Sequence, residues 1–132
     1  MRESEPVVVL GIDPGTAVTG YGIVRKESRN PLALVECGVI RTKPRDALPQ
    51  RLAEIHEGVL ELIRRHKPTV LSIEDIFYAR NVRTTVVLGH ARGVILLAGA
   101  TAVPVVSPSP SSLSARSRIS RSAFFRPTLG TL

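Results

Sequence analysis

The apolar positions of the chain change their period along its length, and each period predicts an element. Val7 to Ile12 is a continuous, β-branched run closed by Asp13-Pro14-Gly15, the pattern of a strand buried on both faces and stopped by a turn. Tyr21 to Arg25 and Leu34 to Ile40 predict two more strands, joined through Glu27-Ser28-Arg29-Asn30-Pro31 in a hairpin-like connection. Leu48, Leu52, Ile55, Val59, Leu62 and Ile63 then recur at the spacing of one helix face, with Glu54, Glu57, Glu61, Arg64 and Arg65 off it. Pro49 suits the first turn of this helix and Pro68 ends it. Val70 to Ile73 predicts a fourth strand, which runs into Glu74-Asp75. A strand, a helix and a strand in that order imply a right-handed crossover and parallel pairing with an earlier strand.

Thr84 to Ala102 predicts a second helix rich in small residues, among them Gly89, Ala91, Gly93, Ala98, Gly99 and Ala100. A glycine inside a helix costs about 1 kcal/mol relative to alanine. Gly89 and Gly93, four apart on one face, are therefore expected where another backbone comes close, either the sheet or a second subunit. Val103 to Val106 is a short fifth strand, interrupted by Pro104. From Ser107 to Leu132 the chain is rich in serine, arginine and proline, has no acidic residue, and shows neither period. This segment is expected to be a non-globular tail, leaving residues 1–106 as the folded domain.

Charge sharpens that division. The chain has 132 residues, 18 Lys+Arg and 11 Asp+Glu, for a net charge of +7. All 11 acidic side chains lie at or before Asp75, where basic residues balance them, so the whole excess falls in the last 57 residues. Such a stretch suits a polyanionic partner such as nucleic acid, or marks a C-terminal part unlike the rest. The length fits one domain. The single cysteine, Cys37, offers no internal disulfide and no cysteine-type metal site, which suits a reducing cytoplasm. The run from Val94 to Val106 is broken by Gly99 and Pro104 and falls short of the roughly 20 residues a membrane span requires. The three histidines, His56, His66 and His90, have no i, i+3 or i+4 partner among themselves and give no zinc pattern.

The candidate chemistry is in the acids at the strand ends. Asp13 follows one buried strand and Glu74 another. If the two strands are parallel neighbours, both carboxylates reach the carboxyl edge of the sheet, where open α/β sheets bind ligands. Two facing acids repel unless a cation lies between them, and hard oxygen donors favour Mg²⁺ or Mn²⁺. The alternative is structural: Asp-Pro-Gly is an ordinary turn sequence, and Glu74 can simply be solvated. Strand alternation sends Asp75 to the face opposite Glu74.

Four blocks carry a family resemblance: Leu10 to Thr16, Thr19-Gly20-Tyr21-Gly22, Ile73 to Phe77 with Ala79-Arg80-Asn81, and Leu88 to Gly93. In order and spacing they closely resemble the RuvC family of bacterial Holliday-junction resolvases. The resemblance implies an α/β, RNase H-like mixed sheet of five strands, the first three antiparallel, with helices packed on it. It also implies a homodimer that nicks four-way junction DNA by divalent-metal hydrolysis in recombination and repair, in the cytoplasm, alongside the RuvA-RuvB branch-migration complex. Asp13 and Glu74 match the family's first two metal-binding carboxylates. Phe77 matches an aromatic that works at the junction, where stacking on a base is worth about 1 to 3 kcal/mol; read without the family it is an ordinary core Phe. Arg80, Asn81 and Arg83 are candidates for phosphate contacts, or else a solvated loop, and Arg92 is a candidate for contacting DNA or for packing a dimer helix. A turn like Gly11 to Thr16 also opens actin-like ATPases, but those need two such domains and several hundred residues.

The family pattern also calls for a late helix carrying two aspartates three residues apart, after a basic, lysine- and glycine-bearing segment. No acid follows Asp75 and no lysine follows Lys67. The resemblance is expected to stop near Val106, with the C-terminal helices missing. Two expectations follow for the tail: a frameshifted or truncated reading of a GC-rich gene, consistent with 15 arginines against 3 lysines, or a basic DNA-binding arm using Arg116, Arg118, Arg121, Arg126 and Phe124-Phe125. The competing functional class is a chain that binds junctions without cutting them, or a non-functional relic.

Overall fold

The computed structural model describes residues 5–76 and 81–108. The elements run in chain order as β1 (Val7–Asp13), β2 (Val18–Lys26), β3 (Ala33–Arg41), α1 (Leu48–His66), β4 (Val70–Ile73), α2 (Val82–Ala102) and β5 (Val105–Pro108). They form one sheet of order β3-β2-β1-β4-β5. β1 to β3 are an antiparallel meander, and β4 pairs parallel with both β1 and β5. The expected crossover is therefore present, with Ile12 opposite Ile73 in the β1–β4 register.

The helices lie on one face of this sheet. Leu10, Ile12, Ile23, Leu71 and Ile73 point into a core completed by Ile55, Val59, Leu62 and Ile63 of α1 and by Ala91, Ile95 and Ala98 of α2. α1 begins with Pro49 in its first turn and ends on Lys67, whose left-handed backbone (φ 47°) lets its N–H close on the Ile63 carbonyl at 2.8 Å. Arg64, Arg65 and His66 in the last turn suit the negative end of the helix dipole. Glu36 of β3 ties that end down, accepting from Arg65 at 3.3 Å and lying 2.7 Å from His66 Nε2.

The small residues of α2 divide differently from the expectation. Nothing lies within 4 Å of where a Cβ would stand on Gly89 or Gly93, so neither meets the sheet. Gly99 does: a Cβ there would stand 2.2 Å from Leu71 Cδ2 and 3.1 Å from Val106 Cγ2. The glycine that close packing requires is thus the third one, at the crossing of α2 over β4 and β5. By length and composition α2 could also cross a membrane, but its apolar inner face is one wall of the core.

β2 begins at Val18, three residues before the predicted strand, and draws Thr19 fully into the interior. β5 begins two residues late because Val103 is used otherwise: it is buried and its N–H caps α2 on the Gly99 carbonyl at 2.8 Å. Pro104 has no N–H to give the ladder, so pairing starts when Val105 donates to Thr69 at 3.2 Å. β5 then reaches Pro108, two residues beyond Val106. The tail expectation from residue 109 onward lies outside the described residues.

Candidate metal centre at the carboxyl edge of the sheet

Asp13 is the last residue of β1, and Glu74 follows the last residue of β4. The ladder continues one step past β4, with Glu74 N–H donating to the Ile12 carbonyl at 3.0 Å. Because Ile12 and Ile73 face the core, Asp13 and Glu74 turn to the other face together, side by side on neighbouring parallel strands. The charge of Asp13 beside it, then desolvation, then a hydrogen bond with Asp13 push the Glu74 pKa above the ordinary glutamate value.

The turn after Asp13 is held by a threonine. From inside, the Thr19 hydroxyl donates to the Gly15 carbonyl at 2.6 Å and accepts from the Gly15 N–H at 3.3 Å. Gly15 is required by close approach, since a Cβ would stand 2.1 Å from the Val18 carbonyl oxygen. Thr42 ties the same turn to the end of β3, donating its hydroxyl to the Thr16 carbonyl and its N–H to Ala17 at 3.1 Å. Arg51 of α1 in turn donates to the Thr42 hydroxyl at 3.0 Å. The sequence reading named none of Thr19, Thr42 and Arg51. Only the Thr19-Gly20-Tyr21-Gly22 block hinted at the first.

The remaining candidates are placed as follows. Asn81 is the N-cap of α2, its side-chain oxygen accepting from Arg83 N–H at 2.9 Å. Arg83, Thr84, Val87 and Leu88 of α2 face Thr16 across a cleft of about 210 Å³, next to the turn that carries Asp13. Arg92, further along α2, donates to the Glu74 carbonyl and to Asp75. Phe77 and Arg80 lie outside the described residues. Among the described residues no group of three or more metal-ligating side chains comes together, so Asp13 and Glu74 stand as a pair. Two carboxylates that crowd each other's charge are a hard-oxygen donor set, and that donor chemistry fits Mg²⁺ or Mn²⁺.

A mixed five-stranded sheet with an antiparallel first meander, helices on one face and a carboxylate at the end of each of two parallel central strands defines an RNase H-like protein. The family described as Crossover junction endodeoxyribonuclease RuvC matches residues 9–114. A protein of that name from Pelotomaculum thermopropionicum is 45% identical over 105 residues, covering 79% of this chain and 63% of its own length. One from Photorhabdus laumondii is 46% identical over 99 residues, covering 74% and 56%. Among solved structures, T. thermophilus RuvC in complex with Holliday junction substrate superposes with a TM-score of 0.69 at 32% identity, covering 77% of this chain and 66% of that one. The chain belongs to the RuvC family. It spans 63% and 56% of the lengths of these two curated relatives. The family match continues past Val106 to residue 114, so the likeness ends later than the sequence blocks suggested.

Proposed function

We propose that this chain supplies the first two metal-binding carboxylates and part of the DNA-facing surface of a structure-specific endonuclease that resolves Holliday junctions. The observation that carries the proposal is the pairing of Asp13 with Glu74 on adjacent parallel strands, inside the region that the family match covers. Asp13 and Glu74 would hold the divalent ion, Mg²⁺ or Mn²⁺. Such an ion, when bound, orients water against a phosphodiester and stabilises the leaving oxygen. The rest of the work falls to the protein. The Thr19 and Thr42 contacts hold Asp13 at the edge, the β1–β4 ladder holds Glu74 beside it, and Arg83 at the Thr16 cleft can neutralise a phosphate of the bound strand. Asn81, the N-cap of α2, extends this DNA-facing surface, and the family resemblance assigns Phe77 and Arg80 to the same DNA contacts. The relatives' names and the junction-bound neighbour support the substrate.

A second copy of the chain fits the outer face of α2. Val86 and Leu97 are more than half exposed there, and Gly89 and Gly93 leave open backbone between them. A homodimer through this face would present two carboxylate pairs to the two sides of a junction, in the cytoplasm, with RuvA-RuvB as the family's branch-migration partners. The second reading, junction binding without cleavage, is favoured by one observation: among the described residues no third metal-ligating side chain joins Asp13 and Glu74.

Incubating the purified chain with a four-way junction and Mg²⁺ or Mn²⁺, beside Asp13→Asn, separates the readings. Symmetric nicks that vanish in the variant support the nuclease. A gel shift without nicks supports binding alone.

A further inference from the structure

We propose that Arg92 is a positioning residue for Glu74, clamping the peptide that carries it from the α2 side. β4 ends at Ile73, and beyond it, among the described residues, the sheet holds Glu74 by one bond, from its N–H to the Ile12 carbonyl at 3.0 Å. The other end of the same residue is held by Arg92, whose Nε donates to the Glu74 carbonyl at 3.3 Å. Its Nη2 donates to Asp75 Oδ1 at 3.0 Å. One planar guanidinium thus spans two acceptors on successive residues, a geometry that a lysine ammonium, with its single point of charge, does not reproduce.

The clamp is itself fixed. Arg92 follows Ala91 and precedes Ile95 by three residues, both fully buried, so the base of its side chain is located by the core. Its side chain is 22% exposed, against 41% for Asp75. Strand alternation explains the division of labour between the two acids: Asp75 turns toward α2 and anchors the guanidinium, while Glu74 turns away toward Asp13. Arg92 grips the carbonyl of Glu74 and leaves its carboxylate free. It therefore sets where the carboxylate stands without neutralising it, and it ties the position of α2 to the geometry of the carboxylate pair.

This inference rests on the reading of Asp13 and Glu74 as the residues that hold the ion, and it has a readout that does not. Mn²⁺ binding to the full chain, followed by the loss of the free-ion paramagnetic resonance signal, is expected to weaken about tenfold in Arg92→Ala, the usual effect of removing an outer-shell partner. Arg92→Lys is expected to recover less than half of that loss, and Asp75→Asn to weaken binding severalfold. The double variant Arg92→Ala/Asp75→Asn should bind no worse than Arg92→Ala alone. Wild-type affinity in folded Arg92→Ala overturns the proposal; if that variant does not fold, wild-type affinity in both Arg92→Lys and Asp75→Asn does so. Hydrogen exchange of the Glu74 amide, measured without metal, is expected to quicken at least tenfold in Arg92→Ala or Arg92→Lys, and unchanged exchange overturns the clamp. Should wild type bind Mn²⁺ no better than Asp13→Asn, the metal reading fails, and the exchange measurement alone decides the role of Arg92.

Discussion

Glu74 and Asp75 are consecutive carboxylates at the end of one strand, yet they meet opposite surroundings. Glu74 faces Asp13, a like charge that raises its pKa. Asp75 faces Arg92, a cation 3.0 Å away. One acid is held where its charge is unfavourable and the other where its charge is satisfied. A group kept in an unfavourable place by a rigid frame is the usual mark of a functional site, whereas an ion pair with a partly buried arginine is what a structural acid looks like. The single residue of difference between them comes from strand alternation.

The largest effects are expected on the like-charge side. Asp13→Asn or Glu74→Gln should reduce Mn²⁺ affinity by at least a hundredfold and abolish any junction nicking, measured by metal titration and by gel assay, while Asp75→Asn weakens binding only severalfold and leaves any nicking detectable. Next in size is the turn that sets Asp13. Gly15→Ala drives a Cβ into the Val18 carbonyl, backbone that has no rotamer to escape through, and should cost about 2 kcal/mol in chemical denaturation and lower Mn²⁺ affinity with it. Gly22→Ala, in the adjoining strand β2 with open space around it, is the neutral control. On the satisfied side the effect is smaller: Asp75→Ala removes an ion pair whose acid is 41% exposed and should cost about 1 kcal/mol or less.

The smallest effect is in pH dependence, and its sign follows from Glu74. An acid whose folded pKa is raised contributes stability below its unfolded pKa, and that contribution is lost as pH rises through the folded value. In metal-free protein, Glu74→Gln should therefore melt higher than wild type at neutral pH, with the advantage shrinking as pH falls through the carboxylate range. Mg²⁺ should erase the advantage in wild type by neutralising the pair. Asp75→Asn should show no such gain at any pH.

The two acids also show how far the sequence carries. The unbroken apolar run before Asp13, the stripe of α1 and the crossover to β4 were enough to bring Asp13 and Glu74 to one edge, because strand pairing and handedness follow local rules. Alternation was enough to send Asp75 elsewhere. What received Asp75 was not legible, since Arg92 lies 17 residues away on a helix whose rotation is set only by packing. The same holds for the glycines of α2. Gly89, Gly93 and Gly99 look alike in sequence, and only the arrival of Leu71 and Val106 opposite Gly99 distinguishes it. The start of β5 was misplaced for a similar reason, because the use of Val103 as a helix cap is a tertiary event.

The central claim is that the Asp13–Glu74 pair is a site for a divalent ion and that its neighbour Asp75 is not part of it. Titrating the full chain with Mn²⁺ beside Glu74→Gln and Asp75→Asn tests this most directly. One saturable ion per chain is expected in wild type, none in Glu74→Gln, and a retained, weaker site in Asp75→Asn. Equal binding in wild type and Glu74→Gln, or a loss in Asp75→Asn as complete as in Glu74→Gln, would contradict the claim.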